Sequence, residues 1–399
     1  MISKKNILIC SHAMEIGGAE RSLLDLLYTF NYSKYNVDLF LYRHSGEWLK
    51  DIPEQVNLLP ESPKYSSLLI PIKSLIAKKQ FGILFSRLAG KFFAFLYRKK
   101  HNFTHSAVEI EYSHKYTRFF LPKIKPDKEY DLAISFLTPH YFVRDKVRAK
   151  KKIAWIHTDY STIEINVKSE LKMWSSYDKI ISISNDCTKS FLKKFPSLSD
   201  KILEVENILS SNLISKKCFE SAPEEMSNNT DYKILSIGRF SDAKNFDNVP
   251  EICKKICTKG LNIIWYLIGY GGDEQLIKNK ITEFGMENNV IILGKKENPY
   301  PYIKACDAYI QPSRYEGKCV AVREAQILEK PVIITNYATA NSQLKDGYDG
   351  VIVPMDNEGC AEGIYKVLTD EKLMKQLSYN CSQNDYTNFS EIYKLYDLI

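Results

Sequence analysis

The fold of this chain is predicted from the stretch PSRYEGKCVAVREAQ, residues 312–326, which follows a short apolar segment typical of a buried strand. Glu316 and Glu324 are eight positions apart. A helix beginning near Gly317 would therefore place both carboxylates on one side. Gly317 and Lys318 would lie at the helix start, where free N–H groups and the helix dipole favour an anion. Carboxylates for hydroxyl groups, next to amides for a phosphate, predict a nucleotide-sugar site.

This Glu-Gly-x6-Glu-Ala pattern resembles the Glu-x7-Glu motif of the retaining glycosyltransferases of family 4, which have the GT-B fold. Two glutamates on a helix surface are the alternative reading of the motif taken alone. The resemblance implies that Glu316 holds the transferred sugar and that Glu324 holds the nucleotide ribose. The other residues of the stretch that it assigns to the donor are Gly317, Lys318, Cys319 and Val320. Two of them stand where many members have Phe-Gly, so the identity of the sugar stays open.

The composition is that of a soluble globular protein with room for two domains. The chain has 399 residues, of which 44% are hydrophobic and 26% charged. No segment approaches the roughly 20 uncharged apolar residues of a membrane-spanning helix, and the N-terminal apolar segment is too short for a signal peptide. The nine scattered cysteines include no Cys-x-x-Cys pair, which is typical of a reduced, cytoplasmic protein.

The positive charge is concentrated in one segment. The net charge is +7, and residues 68–101 hold eight Lys or Arg and no Asp or Glu, so the rest of the chain is near −1 (7 − 8). Aromatic residues recur there at helical spacing, which favours a helix on an anionic membrane surface over nucleic-acid binding. A helix packed on the sheet with a solvated basic edge is the alternative. The expected membrane contacts are Arg87, Lys91, Arg98, Lys99 and Lys100.

Two segments of the first half carry candidate site residues. A predicted strand passes through Gly17 and Gly18 into an amphipathic helix, and Gly-Gly-Ala-Glu-Arg resembles the first loop of family 4, which lies against donor phosphate and acceptor. It is not the Gly-x-Gly-x-x-Gly fingerprint of NAD enzymes. His157 and Asp159 follow another strand, where α/β sheets place their sites. Trp-Ile-His-Thr-Asp resembles the family's histidine segment, which implies that His157 reaches the donor sugar, although a lone histidine is commonly structural.

The second half carries the predicted phosphate and base contacts. Arg239 and Lys244 lie between a strand and a helix, where a forked and a point cation suit a diphosphate. Gly-Arg-x4-Lys-Asn is similar to the family's diphosphate-binding pair; without that resemblance, two surface cations would be the simpler interpretation. Gly269 opens a Gly-rich loop that lets the backbone approach a nucleotide. Gly294 and Lys295 stand in a segment that resembles the one whose backbone contacts the base.

The resemblance implies an α/β protein with the GT-B fold, in which two Rossmann-like, doubly wound domains face each other across a cleft. The expected boundaries are an acceptor-binding domain over 1–209, a polar linker over 210–231 and a nucleotide-sugar domain over 232–380. The tail, 381–399, is expected to form a helix that crosses back to the first domain.

The resemblance implies a retaining transferase that moves a hexose from a nucleotide sugar, UDP rather than GDP, to a lipid-linked oligosaccharide. Such a reaction belongs to bacterial surface-polysaccharide synthesis (capsule, exopolysaccharide or O-antigen), on the inner face of the cell membrane. No Asp-x-Asp occurs in the sequence, so neither a metal nor another cofactor is expected. Arg239, Lys244 and the helix start near Gly317 would stabilise the departing diphosphate. A sugar-nucleotide epimerase and a non-catalytic sensor or scaffold are the alternatives.

Overall fold

The computed structural model of the chain describes residues 4–15, 17–103, 106–221, 223–227, 230–316 and 319–399. They form two compact units. The first comprises Met1–Ile208 and Asn388–Ile399, and the second comprises Leu209–Thr387.

The first unit is built on parallel strands. They are β1 (Lys5–Ser11), β2 (Tyr35–Leu41), β3 (Asn57–Leu58), β4 (Tyr130–Ser135), β5 (Ala149–Ile156), β6 (Lys179–Ser182) and β7 (Ile202–Glu204). Their order in the sheet is β3-β2-β1-β4-β5-β6-β7. Helices cover the sheet, and the middle of β1 is apolar, with Ile7, Leu8 and Ile9 completely buried. The strand order reverses between β1 and β4, and ligand sites of open α/β sheets lie at such reversals.

In the described residues before Ile208, this unit has eight α-helices. They are α1 (Gly18–Thr29), α2 (Pro63–Ser66), α3 (Ser74–Ala77), α4 (Phe81–His101), α5 (Val108–Thr117), α6 (Tyr141–Lys146), α7 (Val167–Trp174) and α8 (Asn185–Lys194).

The second unit repeats this architecture. Its strands are β8 (Tyr232–Ile237), β9 (Ile263–Ile268), β10 (Val290–Gly294), β11 (Ala308–Gln311), β12 (Val332–Thr335) and β13 (Val351–Val353), in the order β10-β9-β8-β11-β12-β13. All neighbours are parallel, and the order reverses between β8 and β11. Its helices are α9 (Ser211–Lys217), α10 (Val249–Thr258), α11 (Glu274–Phe284), α12 (Tyr300–Ala305), α13 (Val320–Ile327), α14 (Ala340–Gln343), α15 (Asn357–Thr369) and α16 (Glu371–Ser382). Two doubly wound parallel sheets confirm the predicted α/β class.

The segment predicted as a linker, 210–231, is part of the second unit. It begins with α9, whose start is capped because the Ser210 hydroxyl accepts a hydrogen bond from the Leu213 N–H at 3.1 Å. Leu213 and Ile214 are completely buried. The linker prediction was wrong here because the polar residues of this short amphipathic helix outnumber the few apolar ones that pack on the core.

The tail changes units at Asn388 rather than at residue 381. Its helix, α17 (Glu391–Tyr396), belongs to the first unit. The Tyr396 ring stacks on Tyr35 with centroids 4.3 Å apart, and its hydroxyl accepts a hydrogen bond from the Asn31 N–H at 2.9 Å.

Candidate functional site

The polar centre of the second unit is the carboxylate of Glu316, which lies in the loop after β11. Its Oε1 accepts hydrogen bonds from the Lys244 ammonium at 2.5 Å and from the Ser313 hydroxyl at 2.7 Å. Lys244 reaches it from the loop after β8, the strand next to β11. The structure therefore brings two of the predicted site residues together at the topological switch point of this sheet.

A buried hydrogen-bond chain holds Glu316 in place. The Tyr309 hydroxyl donates to the Gln311 side-chain carbonyl at 2.7 Å, the Gln311 amide donates to Ser313 at 2.9 Å, and Ser313 donates onward to Glu316. Gln311 and Ser313 are completely buried. Thr339 adds a hydrogen bond to the Glu316 backbone carbonyl at 2.8 Å. Because these donors and acceptors are all satisfied inside the protein, the carboxylate is oriented before any ligand arrives.

The loop that carries Lys244 is fixed to the Glu316 loop by its own contacts. Asn245 has a left-handed backbone (φ 59°), and its buried amide donates to the Pro312 carbonyl at 2.9 Å. The Arg314 guanidinium binds both carboxylate oxygens of Asp247, at 3.0 and 2.7 Å. Such bidentate pairs are geometrically specific. The Arg314–Asp247 pair was missed from the sequence, where a charged pair that bridges two loops has no local signature.

The side chain of Arg239 does not contact the Glu316 carboxylate. It is exposed and forms no hydrogen bond or ion pair with another described residue. Arg239 thus provides an unengaged cation on the same loop as Lys244.

The helix after Glu316 begins later than the sequence pattern indicated. Its first residue is Val320, and Cys319 before it is extended (φ −81°, ψ 108°). The Cys319 N–H donates to the Gln343 side chain at 2.8 Å, so tertiary contacts hold this residue out of the helix. The prediction that one helix aligns Glu316 with Glu324 is therefore wrong: the loop positions Glu316. Gly317 and Lys318 lie outside the described residues.

Glu324 and Cys319 point into the unit. Glu324 is 7% exposed, and its Oε1 accepts a hydrogen bond from the Tyr300 hydroxyl at 2.6 Å. Burial raises the pKa of the Cys319 thiol to about 11, which keeps it neutral beside Gln311. Val320, in contrast, is exposed.

Three glycines meet at the ends of β8, β9 and β10. The Gly269 N–H donates to the Gly294 carbonyl at 3.0 Å. Gly269 has φ +154°, and a Cβ there would lie 1.8 Å from the Gly238 carbonyl oxygen. Only glycine fits this close backbone approach. Lys295 follows, with its ammonium 5.5 Å from the centroid of the Tyr270 ring. The predicted base-contact segment thus offers glycine backbone, with the Tyr270 ring and the Lys295 ammonium beside it.

In the first unit, His157 directly follows β5. Its ring lies 4.4 Å from the Phe136 ring and is parallel to Trp155 (7°, centroids 5.9 Å apart). Burial lowers the pKa of His157 to about 3, so the imidazole is neutral at physiological pH. Its buried Nε2 has no hydrogen-bond partner among the described residues. Asp159 instead accepts 2.8 Å hydrogen bonds from the N–H and hydroxyl of Ser161, which close a turn.

Three further histidines of the same unit have pKa values that burial lowers, and the sequence analysis did not single them out. His12 follows β1, and its ring lies 5.5 Å from that of His114. His140 donates to or accepts from the Ser135 hydroxyl at 2.8 Å. Burial lowers the pKa of all three, to about 4 for His12. His12, like His157, directly follows a buried strand, and that position was the available signal.

The predicted diglycine begins α1 in the first unit. Gly18 is its first residue, and Gly17 is the extended residue before it. A Cβ on Gly17 would lie 2.2 Å from the Glu20 carboxylate. Burial raises the pKa of Glu20, which is the largest effect on this carboxylate. Gly17 therefore makes room for an acidic side chain at the helix start.

The predicted membrane-contact residues differ in what they contact. Arg87 departs from the expectation, because its guanidinium donates to the Ser67 and Ile70 carbonyls, both at 2.7 Å. Lys91 lies 3.3 Å from Glu109. Arg98 is half-buried, whereas Lys99 and Lys100 are exposed.

Solved structures share the fold of this chain. The chain superimposes over 99% of its length on Anabaena HepE in complex with UDP (TM-score 0.57, 16% identity, all of that chain covered). It superimposes over its full length on S. aureus TarM (TM-score 0.64, 13% identity, 99% covered). At these identities the likeness shows the fold alone, and it confirms the predicted GT-B fold.

Residues 219–384, which lie in the second unit, match the model of the glycosyl transferases group 1 family, and the predicted resemblance is confirmed. The Escherichia coli UDP-Gal:alpha-D-GlcNAc-diphosphoundecaprenol alpha-1,3-galactosyltransferase is 27% identical over 166 residues, 41% of this chain and 43% of the relative. The capsular polysaccharide biosynthesis glycosyltransferase CapM of Staphylococcus aureus is 29% identical over 164 residues, with the same shares. The chain thus spans less than half the length of these relatives.

Proposed function

We propose that this chain is a retaining glycosyltransferase that moves a hexose from a nucleotide sugar to an acceptor hydroxyl. The observation that carries the proposal is the preorganised Glu316–Lys244 pair at the switch point of a glycosyl transferases group 1 domain. A UDP-sugar is favoured over a GDP-sugar as the donor because HepE, which has the same fold, binds UDP and the E. coli relative is named for UDP-Gal.

The donor would bind around Glu316. Its carboxylate is suited to a hexose hydroxyl, and Lys244 and the unengaged Arg239 supply positive charge for the diphosphate. Gly269 and Gly294 offer backbone without side chains to the nucleotide, and Glu324 is assigned to the ribose. His157, in the first unit, is neutral and has an unpartnered Nε2, so it is suited to hydrogen bonding with an uncharged substrate hydroxyl.

We assign a metal-independent reaction to this arrangement. The acceptor oxygen forms a bond to the anomeric carbon on the face that the diphosphate leaves, the bond from that carbon to the phosphate oxygen breaks, and the acceptor proton passes to the released phosphate. Lys244 and Arg239 stabilise the charge that develops on the leaving group. Full transfer activity after dialysis against EDTA is the expected result, and a strict requirement for added Mg²⁺ or Mn²⁺ would contradict this assignment.

The acceptor is proposed to be a lipid-linked saccharide in bacterial surface-polysaccharide synthesis. The E. coli relative and a Campylobacter jejuni relative, which is 26% identical over 51% of this chain and 54% of its own length, are both named for diphospho-undecaprenol substrates. Within the described parts of the chain, none of the helices has the length and apolarity needed to cross a membrane. We propose peripheral association with the inner face of the cell membrane, where such acceptors are anchored.

The test combines donor binding with turnover. A nucleotide sugar at 100 times its Kd should stabilise the protein by roughly 2.7 kcal/mol, which identifies the donor by thermal shift. With that donor and a lipid-linked acceptor, Glu316→Gln should abolish most transfer, whereas Glu287→Gln, at an exposed glutamate of the same unit, should leave it unchanged. Near-normal transfer by E316Q would remove Glu316 from the site. Conversion of the donor without acceptor would indicate an epimerase, and binding without turnover would indicate a sensor.

A further inference from the structure

Helix α4 of the first unit buries Ile83 and Leu84 near its start but carries its phenylalanines on the outside. Phe81, Phe85, Leu88, Phe92 and Phe95 are 46–67% exposed. Their spacing of four, three, four and three residues places them in one line along the helix. We call this line the aromatic stripe. The buried positions of the helix include small residues, Ser86, Gly90 and Ala94. A water-exposed helix packed on a core would bury rings of this size.

The packing of α4 keeps the aromatic stripe outward. A Cβ on Gly90 would lie 3.1 Å from the Ser113 amide nitrogen and the Tyr112 carbonyl oxygen, so α4 approaches the backbone of α5 closely through its small residues. Rotation of the helix would force phenylalanine rings into that contact. At the other end, a Cβ on Gly82 would lie 2.7 Å from the Phe120 ring. Phe120 and its neighbour Phe119 are also exposed, and they extend the apolar surface beside the first turn.

The charges around the stripe indicate what covers it. Residues 68–101 contain no acidic side chain, and the last turn of α4 carries Arg98, Lys99, Lys100 and His101. Lys99 continues the line of the stripe, and both lysines are exposed. An apolar helix face bordered by cations is typical of a helix that lies in the surface of an anionic membrane.

A second copy of the chain is the competing occupant, because alternating steps of three and four residues also occur in paired helices. Two such helices would need acidic partners for the flanking cations, and residues 68–101 supply none. Charge complementarity therefore favours the anionic bilayer.

We propose that α4 lies in the plane of an anionic phospholipid membrane, with the aromatic stripe inserted at the boundary between headgroups and acyl chains. Lys99 and Lys100 contact the headgroups, while Arg87 supports the fold from within. The inference deepens the peripheral association in the proposed function, from which it takes the lipid-linked acceptor. It assigns the main anchoring role to aromatic residues, with the lysines providing selectivity for anionic lipid.

The first experiment is flotation of the full chain with phosphatidylcholine vesicles, with and without phosphatidylglycerol. The double variant Phe85→Ser/Phe92→Ser should lose at least about tenfold in the fraction bound to phosphatidylglycerol vesicles, since each lost ring removes apolar burial. The matched control is Phe219→Ser, which alters an equally exposed phenylalanine of the second unit. Lys99→Glu/Lys100→Glu should reduce the preference for phosphatidylglycerol. Unchanged flotation of the F85S/F92S protein would overturn the proposal.

A second measurement reports insertion directly. All four tryptophans of the chain are buried, so Phe92→Trp introduces an exposed reporter. Brominated lipids in phosphatidylglycerol vesicles should quench this variant and leave the wild-type emission unchanged. Equal emission with and without brominated lipid would contradict insertion. A wild-type dimer that F85S/F92S converts to a monomer would show that a second copy covers the stripe.

Transfer assays separate this inference from the proposed function. With a short, water-soluble acceptor, F85S/F92S should be as active as the wild type, because the stripe lies outside the proposed catalytic machinery. Loss of vesicle binding with retained transfer supports both proposals. Vesicle binding by a chain that transfers no sugar would overturn the proposed function and leave the membrane inference standing.

Discussion

The carboxyl ends of the two parallel sheets carry opposite kinds of chemistry. In the second unit, the loops after β8 and β11 hold a charged pair, Lys244 and Glu316, supported by buried hydrogen bonds. In the first unit, residues after β1 and β5 include the imidazoles of His12 and His157, whose pKa values burial lowers to about 4 and about 3. The loops after the strands thus hold a charged pair in the second unit and desolvated neutral imidazoles in the first.

Under the proposed function, each kind of group is suited to a different part of the reaction. Charged groups are suited to the diphosphate and to hexose hydroxyls, because ion pairing and bidentate acceptance favour such ligands. Neutral imidazoles can hydrogen bond to sugar hydroxyls without adding charge near a reacting anomeric carbon. Removal of the charge from the second unit and titration of the first unit test these two assignments separately.

Removal of the charge in the second unit should have the largest effect. Lys244→Met keeps the length of the side chain but deletes the ammonium, so we expect a fall in turnover of about 10²–10³-fold, comparable to the loss of one preorganised transition-state donor. The measurement is the initial rate of sugar transfer with the donor found by thermal shift. Lys278→Met, which removes an exposed lysine paired with Glu274, is the control. Wild-type turnover in K244M would show that the Lys244 ammonium has no role in sugar transfer.

Protonation of a buried histidine in the first unit should have an intermediate effect, which is on the free energy of unfolding. Burial lowers the pKa of His114 below its usual value of 6.5. As the pH falls below 6.5, this imidazole therefore binds a proton in the unfolded chain but not in the folded one. Stability from this group is complete above pH 6.5 and is lost as the pH falls. At pH 5 the loss is about 2 kcal/mol for one imidazole (1.5 pH units). His114→Phe should remove that part of the pH dependence.

The measurement is the free energy of unfolding by urea at pH 7.5 and pH 5 for both proteins. The difference between the two proteins reports on His114 alone, because other titrating groups are common to both. One of these is Glu170, whose pKa burial raises to about 7, so its contribution to the pH dependence of stability has the opposite sign. Parallel pH profiles for the wild type and H114F would show that His114 titrates normally in the folded protein.

The support beneath Glu316 should have the smallest effect. Ser313→Ala deletes one of the hydrogen bonds to the carboxylate while Lys244 keeps the other. We expect a loss of about 1 kcal/mol in unfolding free energy and about a tenfold fall in turnover. Ser342→Ala, at an exposed serine of the same unit, provides the control. A loss as large as that of K244M would mean that Ser313, and not the ion pair, orients Glu316.

Lys244 and Glu316, which the structure brings together, were singled out because each follows an apolar strand in a short pattern that resembles a family motif. The helix start at Val320 was missed because Gln343, distant in sequence, holds the Cys319 N–H. Arg87 was misassigned because a cation on a helix gives no local sign that two loop carbonyls will accept its hydrogen bonds.

Alternation of buried strands and amphipathic helices determined the α/β class, because apolar periodicity and turn residues act over a few neighbouring positions, and the family resemblance implied two doubly wound domains. The residues that follow the strands were determined in the same way. Only the tertiary structure decided that Glu316 is oriented by a buried hydrogen-bond chain, that α4 turns its phenylalanines outward, and that segment 210–231 joins the second unit. Each of these depends on contacts between residues far apart in the chain, whose geometry no local pattern contains.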